Sequence, residues 1–491
     1  MVADQFTQSS TPLLSALQAC ATRSTAAFHT PGHKQGQGVN RVLQTLLGDR
    51  VFHADLPELP ELDNLFAPSG VIQAAQALAA QTFGAEQTWF LANGSTSGVM
   101  AAILATCHLG DKIILPRNVH QSAISGLVLS GAMPIFVNPV YDPNLDLAHC
   151  VTPEAIATAL TAHPDAKAVM IVSPTYLGVG GDVAAIAQVC HAHRLPLLVD
   201  EAHGAHFGFH PALPLSAMQA GADVAIQSTH KTLSALTQAA MLHAQGGLVD
   251  RDRLTKALAL VQSTSPNYLL LASLDAVRHQ LALHGPALMQ HTLDLAATAR
   301  SRLAHIPQLS VLSPQAVPSP GFFALDRTRL TVIVSDLGID GFTADEWLNH
   351  HGVVAELPTL NQLTFIISLG NTEADIERLV QALEWLTAAQ EKRGKVREAQ
   401  MQLVPFNQTA APSLSPRDAF FATTETLFLE QAIHCISAEL ICPYPPGIPV
   451  LMPGERITAS AIATLKHLLA SGAVLSGCAD PSLTTIKVIA I

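Results

Sequence analysis

Between residues 70 and 245, short apolar runs recur at regular intervals: "KIILP" (112–116), "MPIFV" (133–137), "AVMIV" (168–172), "LPLLVD" (195–200) and "DVAIQ" (223–227). None alternates apolar with polar residues, so each reads as a strand covered on both faces. Helix-spaced apolar segments, including "VIQAAQALAAQTF" and "DVAAIAQVCHAH", lie between most of them. The pattern predicts a doubly wound α/β core, a large domain built on a mostly parallel sheet. In such sheets ligands sit beyond the carboxyl ends of the strands. Here those ends are polar. "AVMIV" runs into Ser173, Pro174 and Thr175, "LPLLV" into Asp200, Glu201 and His203, and "DVAIQ" into Ser228, His230 and Lys231.

The flanking regions follow other patterns. A helix is expected around 11–22, followed by two runs rich in Pro or Gly, "FHTPGHKQGQG" and "LPELPELDNLFAPSG". They carry His29, His33, Asp55, Glu58, Glu61 and Asp63, which suggests an ordered arm over 1–65 rather than a tether. The large domain then spans 66–270. Residues 271–400 read as a smaller α+β domain: a long helical stretch, the strands "LTVIVSD" and "LTFIISLG", and the helix "ADIERLVQALEWLTAA". The polar run "QEKRGKVREAQ" marks a boundary, and 401–491 forms a C-terminal α+β domain. Its expected parts are a helix from "SPRDAFFATTETLFLEQAI", the turn run "CPYPPGIPVLMPGE", another helix and a final β-like "TTIKVIAI".

Composition narrows the function classes. The 491 residues are 49% hydrophobic and 13% charged, which describes a chain with much buried surface. With a net charge of -12 and no Lys/Arg block, nucleic acid is not an expected partner. The seven cysteines include no C-x-x-C pair, which suits reduced thiols and a cytoplasmic location. The N-terminus shows no export signal, and no apolar 18-mer predicts a membrane span.

The polar strand ends carry the candidate chemistry. In "FLANGSTSGVMAAILATC", Gly94 and Gly98 flank Ser95 and Thr96 at the start of an apolar helix. Backbone N–H groups and hydroxyls there suit a phosphate, although ordinary N-capping explains the same residues. Asp200 closes an apolar strand, where a carboxylate needs a cationic or hydrogen-bonding partner such as a protonated ring nitrogen. Lys231 stands where a lysine could bond a carbonyl, with Ser228 and His230 beside it for a phosphate. Together these fit pyridoxal 5'-phosphate (PLP). His120, after "KIILP", is a candidate to stack on the ring, and Thr175 to reach its phenolic oxygen. A metal centre of His203, His206 and His210 is the rival, but Gly204, Gly208 and Pro211 argue against one helix presenting all three.

"FHTPGHKQG", "LDNLFAPSGVIQAAQALAAQTFGA", "NGSTSG", "VDEAHGAHFGFHPALP", "STHKTLSALTQAAMLH" and "CPYPPGIPVLMPGE" resemble the ornithine/lysine/arginine decarboxylases of PLP fold type I over nearly the whole chain. The resemblance implies a PLP-dependent decarboxylase that converts lysine, arginine or ornithine to its amine and CO2. By it, Lys231 forms the internal aldimine, Asp200 pairs with the pyridine nitrogen and His120 stacks on the ring. Ser95, Thr96, Ser228 and His230 match phosphate-site positions, and His203 lines the ring and is a candidate acid. It also implies a homodimer or dimer-based oligomer with interfacial active sites. The chain resembles the short form, without the amino-terminal receiver-like domain of the large members. Glu439 is the first candidate to read the substrate's distal cation, with Glu356 and Asp55 as others. One departure is "EQAIHCISAEL": glycine is usual where His434 stands, and a basic residue where Cys435 stands. A PLP-dependent aminotransferase and a non-catalytic binding protein of the same fold remain the alternatives, and the substrate stays open among the three amino acids.

Overall fold

The computed structural model describes residues 6–143, 145, 147–313, 320–393, 412–444, 448–470, 472 and 474–490. Seven strands matter below. In chain order they are β1 (Gln87–Leu91), β2 (Lys112–Pro116), β3 (Met133–Val137), β4 (Ala168–Val172), β5 (Leu197–Asp200), β6 (Val224–Gln227) and β7 (Ala240–Ala244). The helices used are α1 (Pro12–Ala21), α2 (Arg41–Leu47), α3 (Val71–Phe83), α4 (Gly94–Thr106), α5 (Gln121–Ser130), α6 (Thr229–Thr232) and α7 (Tyr268–Leu303). The chain divides into two compact units, Met1–Ala105 with Asp200–Met289, and Thr106–Val199 with Gln290–Ile491.

In the first unit, β1 pairs antiparallel with β7, and β7 antiparallel with β6. All of β6 and β7 is buried, and β1 is buried except at Gln87. Strands buried on both faces read as apolar runs whichever way they travel. β1 and β6 run the same way and β7 alone is reversed, so one antiparallel strand is inserted and the expectation of a mostly parallel sheet stands. Only 12 residues separate β6 from β7, and they hold one short helix, α6, which suits an antiparallel return better than a covered crossover.

The N-terminal segment is ordered by buried polar contacts in this unit. Asp275 on α7 accepts the N–H groups of Leu13 and Leu14, and so caps α1. Arg278 pairs with Asp275 and donates to the carbonyls of Gln8 and Ser10, both charged side chains being fully buried. Asp63 caps α3 by accepting from Gly70 (2.7 Å) and Ile72 (3.1 Å), while the hydroxyl of Tyr268 donates to its carbonyl. His33 lies 3.1 Å from Asp55. The arm predicted for this region is held by side chains rather than tethered loosely.

In the second unit, β2 lies between β3 and β4 and pairs parallel with both. The carboxyl-terminal half of α7 packs on a four-stranded antiparallel sheet, ordered Ser310–Val311, Arg329–Ile333, Gln362–Ile366, Leu357–Pro358. The last core gathers Leu429, Ile441, Ile457, Leu465, Ile486 and Val488. Here one expectation is corrected. The helix predicted from "SPRDAFFATTETLFLEQAI" stops at Phe421, and Thr424–Phe428 is a strand paired antiparallel with Thr485–Ile489. The β-branched and aromatic residues Thr424, Thr426 and Phe428 alternate along one face, and that pairing overrides the helical spacing.

Candidate active site

The start of α4 is shaped by its glycines. Gly94 has φ +74°, a left-handed conformation that a side chain disfavours. A Cβ at Gly98 would come within 2.8 Å of both Ile226 and Leu91, so the helix start is pressed against β6 and β1. The preceding turn is braced from several sides. Gln238 donates to the Ala92 carbonyl (2.6 Å), Gln262 accepts from the Ala92 N–H (2.9 Å), and Asn93 accepts from the Ser263 N–H (3.1 Å). That bracing places Ser95, half-buried, where it accepts a hydrogen bond of 2.7 Å from Ser228, the residue following β6. Thr96 beside it is exposed. Two of the predicted phosphate hydroxyls are thus in direct contact, at the N-terminus of a 13-residue helix.

Past Ser228 the chain turns into the single helical turn α6, which carries His230 and Lys231. The N–H of Lys231 bonds to the Ser228 carbonyl (3.0 Å), and that of His230 to the Ala239 carbonyl (3.2 Å). Lys231 Nζ lies 3.0 Å from His203 Nε2. An ammonium can only donate, so His203 faces it with a bare nitrogen lone pair. Lys231 is half-buried and His203 buried. Burial, with the neighbouring Lys231 charge adding to it, holds the His230 imidazole below its ordinary pKa. Asp200 is 7% exposed and accepts from the Ala202 N–H at 3.2 Å.

Four other candidates, His120, Thr175, Glu356 and Glu439, belong to the second unit. His120 caps α5, its Nδ1 accepting from the Ser122 N–H at 3.2 Å. Thr175 opens the turn after β4, and its hydroxyl accepts from the Val179 N–H. Gly178 closes that turn at φ +86°, where a Cβ would meet Arg329 at 2.6 Å. Glu439 is 7% exposed. Its Oε1 accepts from the Ala479 N–H (2.7 Å) and its Oε2 from the Lys487 N–H (3.1 Å), an arrangement that anchors the C-terminal strand. Asp55 is engaged by His33, and Glu356 is exposed. Pro445, Pro446 and Gly447 of the predicted turn run lie outside the described residues.

Among the described residues, no group of three or more His, Cys, Asp or Glu is arranged to hold a metal ion. His206 is buried edge-on against Phe207, and His210 accepts from the Ala212 N–H.

Sequence reading passed over two clusters. Arg117, the residue after β2, donates to the carbonyls of Pro449 and Val450 and pairs with Glu455 at 2.9 Å, both side chains being largely buried. It ties the "IPVLMPGE" stretch to the loop that leads to His120, and the only signal was a lone arginine closing an apolar strand. Glu201, Gln227, His243 and Thr88 form the other cluster.

The likeness to known proteins runs through the whole chain. The model of the Orn/Lys/Arg decarboxylase major domain matches residues 11–375, and that of the C-terminal domain matches 398–477. The chain belongs to the Orn/Lys/Arg decarboxylase family. It is 42% identical to the arginine decarboxylase of Halalkalibacterium halodurans, covering 98% of each chain. With the arginine decarboxylase of Bacillus subtilis the identity is 40%, covering 99% of each. The crystal structure of a Francisella novicida lysine decarboxylase superimposes with a TM-score of 0.84 at 23% identity, over 98% of this chain and 81% of that one. The architecture is that of PLP fold type I.

The donor set fits that cofactor: an amine beside an imidazole lone pair, a strand-end carboxylate, and two joined hydroxyls at a helix N-terminus. The protein is a PLP-dependent decarboxylase of a basic amino acid.

Proposed function

We propose that this decarboxylase acts on L-arginine, releasing CO2 and leaving agmatine. What supports this reading is the 40–42% identity with two arginine decarboxylases over essentially full length, against 23% with a lysine decarboxylase of the same architecture. The reaction exchanges one bond for another. The bond from Cα to the carboxylate breaks, a proton takes its place on Cα, and one proton is consumed per CO2 formed.

In this reading Lys231 supplies the amine that bonds the cofactor aldehyde, and Asp200 faces the pyridine nitrogen. Ser95, Thr96, Ser228 and His230 hold the phosphate. When bound, PLP supplies an electron sink for the pair left on Cα. The chain's own contribution includes proton handling at Lys231. His203 Nε2, 3.0 Å away, accepts from the lysine ammonium, so it can take the proton whose loss frees the amine, and return one later. Its 5% exposure excludes most water from that exchange.

The same proposal includes a homodimer located in the cytoplasm. Helix α2 buries none of its residues, and its Val42, Leu46 and Leu47 are 80%, 78% and 51% exposed, a face that a second copy would cover. None of the seven cysteines is in a disulfide, which suits a reducing compartment. No described helix is long and apolar enough to cross a membrane.

Side-by-side turnover of L-arginine, L-lysine and L-ornithine tests the substrate. The reading expects agmatine as the dominant product; preferred formation of cadaverine or putrescine overturns it.

A further inference from the structure

Directly behind the residues assigned above, a chain of side-chain hydrogen bonds crosses four strands or strand ends of the first unit. Glu201 Oε1 accepts from the Ala217 N–H at 2.7 Å, and its Oε2 from the Gln227 amide at 2.8 Å. Gln227 Oε1 lies 3.0 Å from His243 Nε2, and His243 Nδ1 lies 2.8 Å from the Thr88 hydroxyl. Glu201 and Thr88 are 1% and 2% exposed, Gln227 is 2% and His243 fully buried. The ring of His243 stacks on Phe83 at 4.9 Å.

The protons in this chain can be assigned. Because Gln227 turns its NH2 to the Glu201 carboxylate, only its carbonyl oxygen faces His243. That oxygen cannot donate, so His243 carries its proton on Nε2 and leaves Nδ1 bare for the Thr88 hydroxyl. Burial without a partner charge pushes the His243 pKa down to about 3, in keeping with a neutral ring. With Glu201 ionised, every member is satisfied and every bond points the same way, toward Glu201.

Position in the sequence gives the chain its meaning. Glu201 follows Asp200 at the end of β5, and Gln227 precedes Ser228 at the end of β6. The Glu201 N–H also bonds to the Ile226 carbonyl at 2.9 Å, so Glu201 continues an extended ladder. Side chains alternate across an extended backbone. Glu201 and Gln227 therefore meet on one face while the adjacent residues Asp200 and Ser228 are presented to the other.

We propose that Glu201 is a positioning residue: through Gln227, His243 and Thr88 it fixes the two strand ends that carry Asp200 and the Ser228–Lys231 turn. This rests on the reading of Asp200, Ser228 and Lys231 as the PLP-binding residues. It makes a distinctive demand on substitutions. In Glu201→Gln the new amide donates to a flipped Gln227 carbonyl, Gln227 donates to His243 Nε2, and the His243 proton moves to Nδ1 to face Thr88. The chain reverses and stays complete. Glu201→Met and Gln227→Leu cut it, and Thr88→Val removes only its far end.

The test is PLP affinity of the full-length protein, from titration of cofactor-free protein followed by fluorescence, together with the pH midpoint of the bound cofactor's visible band. Gln227→Leu and Glu201→Met, each of which removes two of these hydrogen bonds, should weaken affinity about tenfold and shift the midpoint. Glu201→Gln should stay within about twofold of wild type, since it retains the same number of bonds. Thr88→Val, the mildest change, should weaken affinity about threefold if the two severing variants fail to fold. Wild-type affinity and midpoint in Gln227→Leu, or in Thr88→Val where the others do not fold, overturn the inference. Equal damage from Glu201→Gln and Glu201→Met overturns it too. Failure of the wild type to bind PLP overturns the cofactor assignment, and the inference with it; cofactor uptake by wild type with undisturbed variants overturns the inference alone.

Discussion

Removing the titrating carboxyl of Glu201 should change how stability depends on pH, and the sign follows from two buried groups. Burial pushes Glu201 from 4.5 up to about 8, its hydrogen bonds from Gln227 and Ala217 pulling the other way. Burial also pushes His243 from 6.5 down to about 3. A carboxylate with a raised folded pKa binds its proton more tightly in the native state, so its stabilisation is full below 4.5 and is lost as pH rises toward 8. A histidine with a lowered folded pKa does the reverse, and its contribution is lost as pH falls from 6.5 toward 3. Between 4.5 and 6.5 the two slopes cancel. Between 6.5 and 8 only Glu201 titrates, and one proton over that interval, at roughly 1.36 kcal/mol per pH unit, gives a loss of about 2 kcal/mol. Glu201→Gln lacks this loss, and below pH 6.5 its His243 slope is uncompensated. Urea unfolding followed by circular dichroism at pH 6.5 and 8.0, for both proteins, isolates the effect because all other titrating groups are shared. Wild type should lose about 2 kcal/mol more than Glu201→Gln across this interval. Parallel losses in the two proteins would refute the reasoning.

Other substitutions probe the second unit. Glu439→Gln should lower stability by about 1–3 kcal/mol, because an amide turns a donor toward a backbone N–H, while leaving the preference among arginine, lysine and ornithine unchanged. A shifted preference at unchanged thermal stability would instead make Glu439 a reader of the distal cation. Arg117→Met strands a buried Glu455 and should cost about 3–5 kcal/mol, with Arg117→Met/Glu455→Leu recovering part of it; equal thermal midpoints for wild type and the single variant would contradict this. His434 has φ +74°, so His434→Gly should leave the thermal midpoint no lower, whereas His434→Val should cost about 1–2 kcal/mol. A clear drop with glycine would show that the side chain of His434, rather than its backbone, is what the site needs.

The sequence was most legible where local pattern and burial agree. "KIILP", "MPIFV" and "AVMIV" are strands β2, β3 and β4 at the expected residues, because runs apolar on both faces have few other folds. Lys231 stood out because a scarce cation at the end of a buried strand demands a partner, and the structure places His203 beside it. The glycine expected at 434 also has a backbone reason, a left-handed φ. Strand direction was not legible, since β6 and β7 are buried throughout and would read alike in either orientation. Nor were partners distant in sequence. Thr88 and His243 are 155 residues apart, and Glu439 finds its hydrogen bonds 40 and 48 residues further on. A carboxylate that satisfies backbone N–H groups carries no mark in sequence to separate it from one that binds substrate.

The most direct test of the account is to reduce the PLP-loaded protein with borohydride, digest it and locate the pyridoxyl mass by mass spectrometry. The account predicts the label on Lys231 alone, in the peptide that follows β6, and none retained by Lys231→Ala. A label on any other lysine, or one that survives Lys231→Ala, would contradict it.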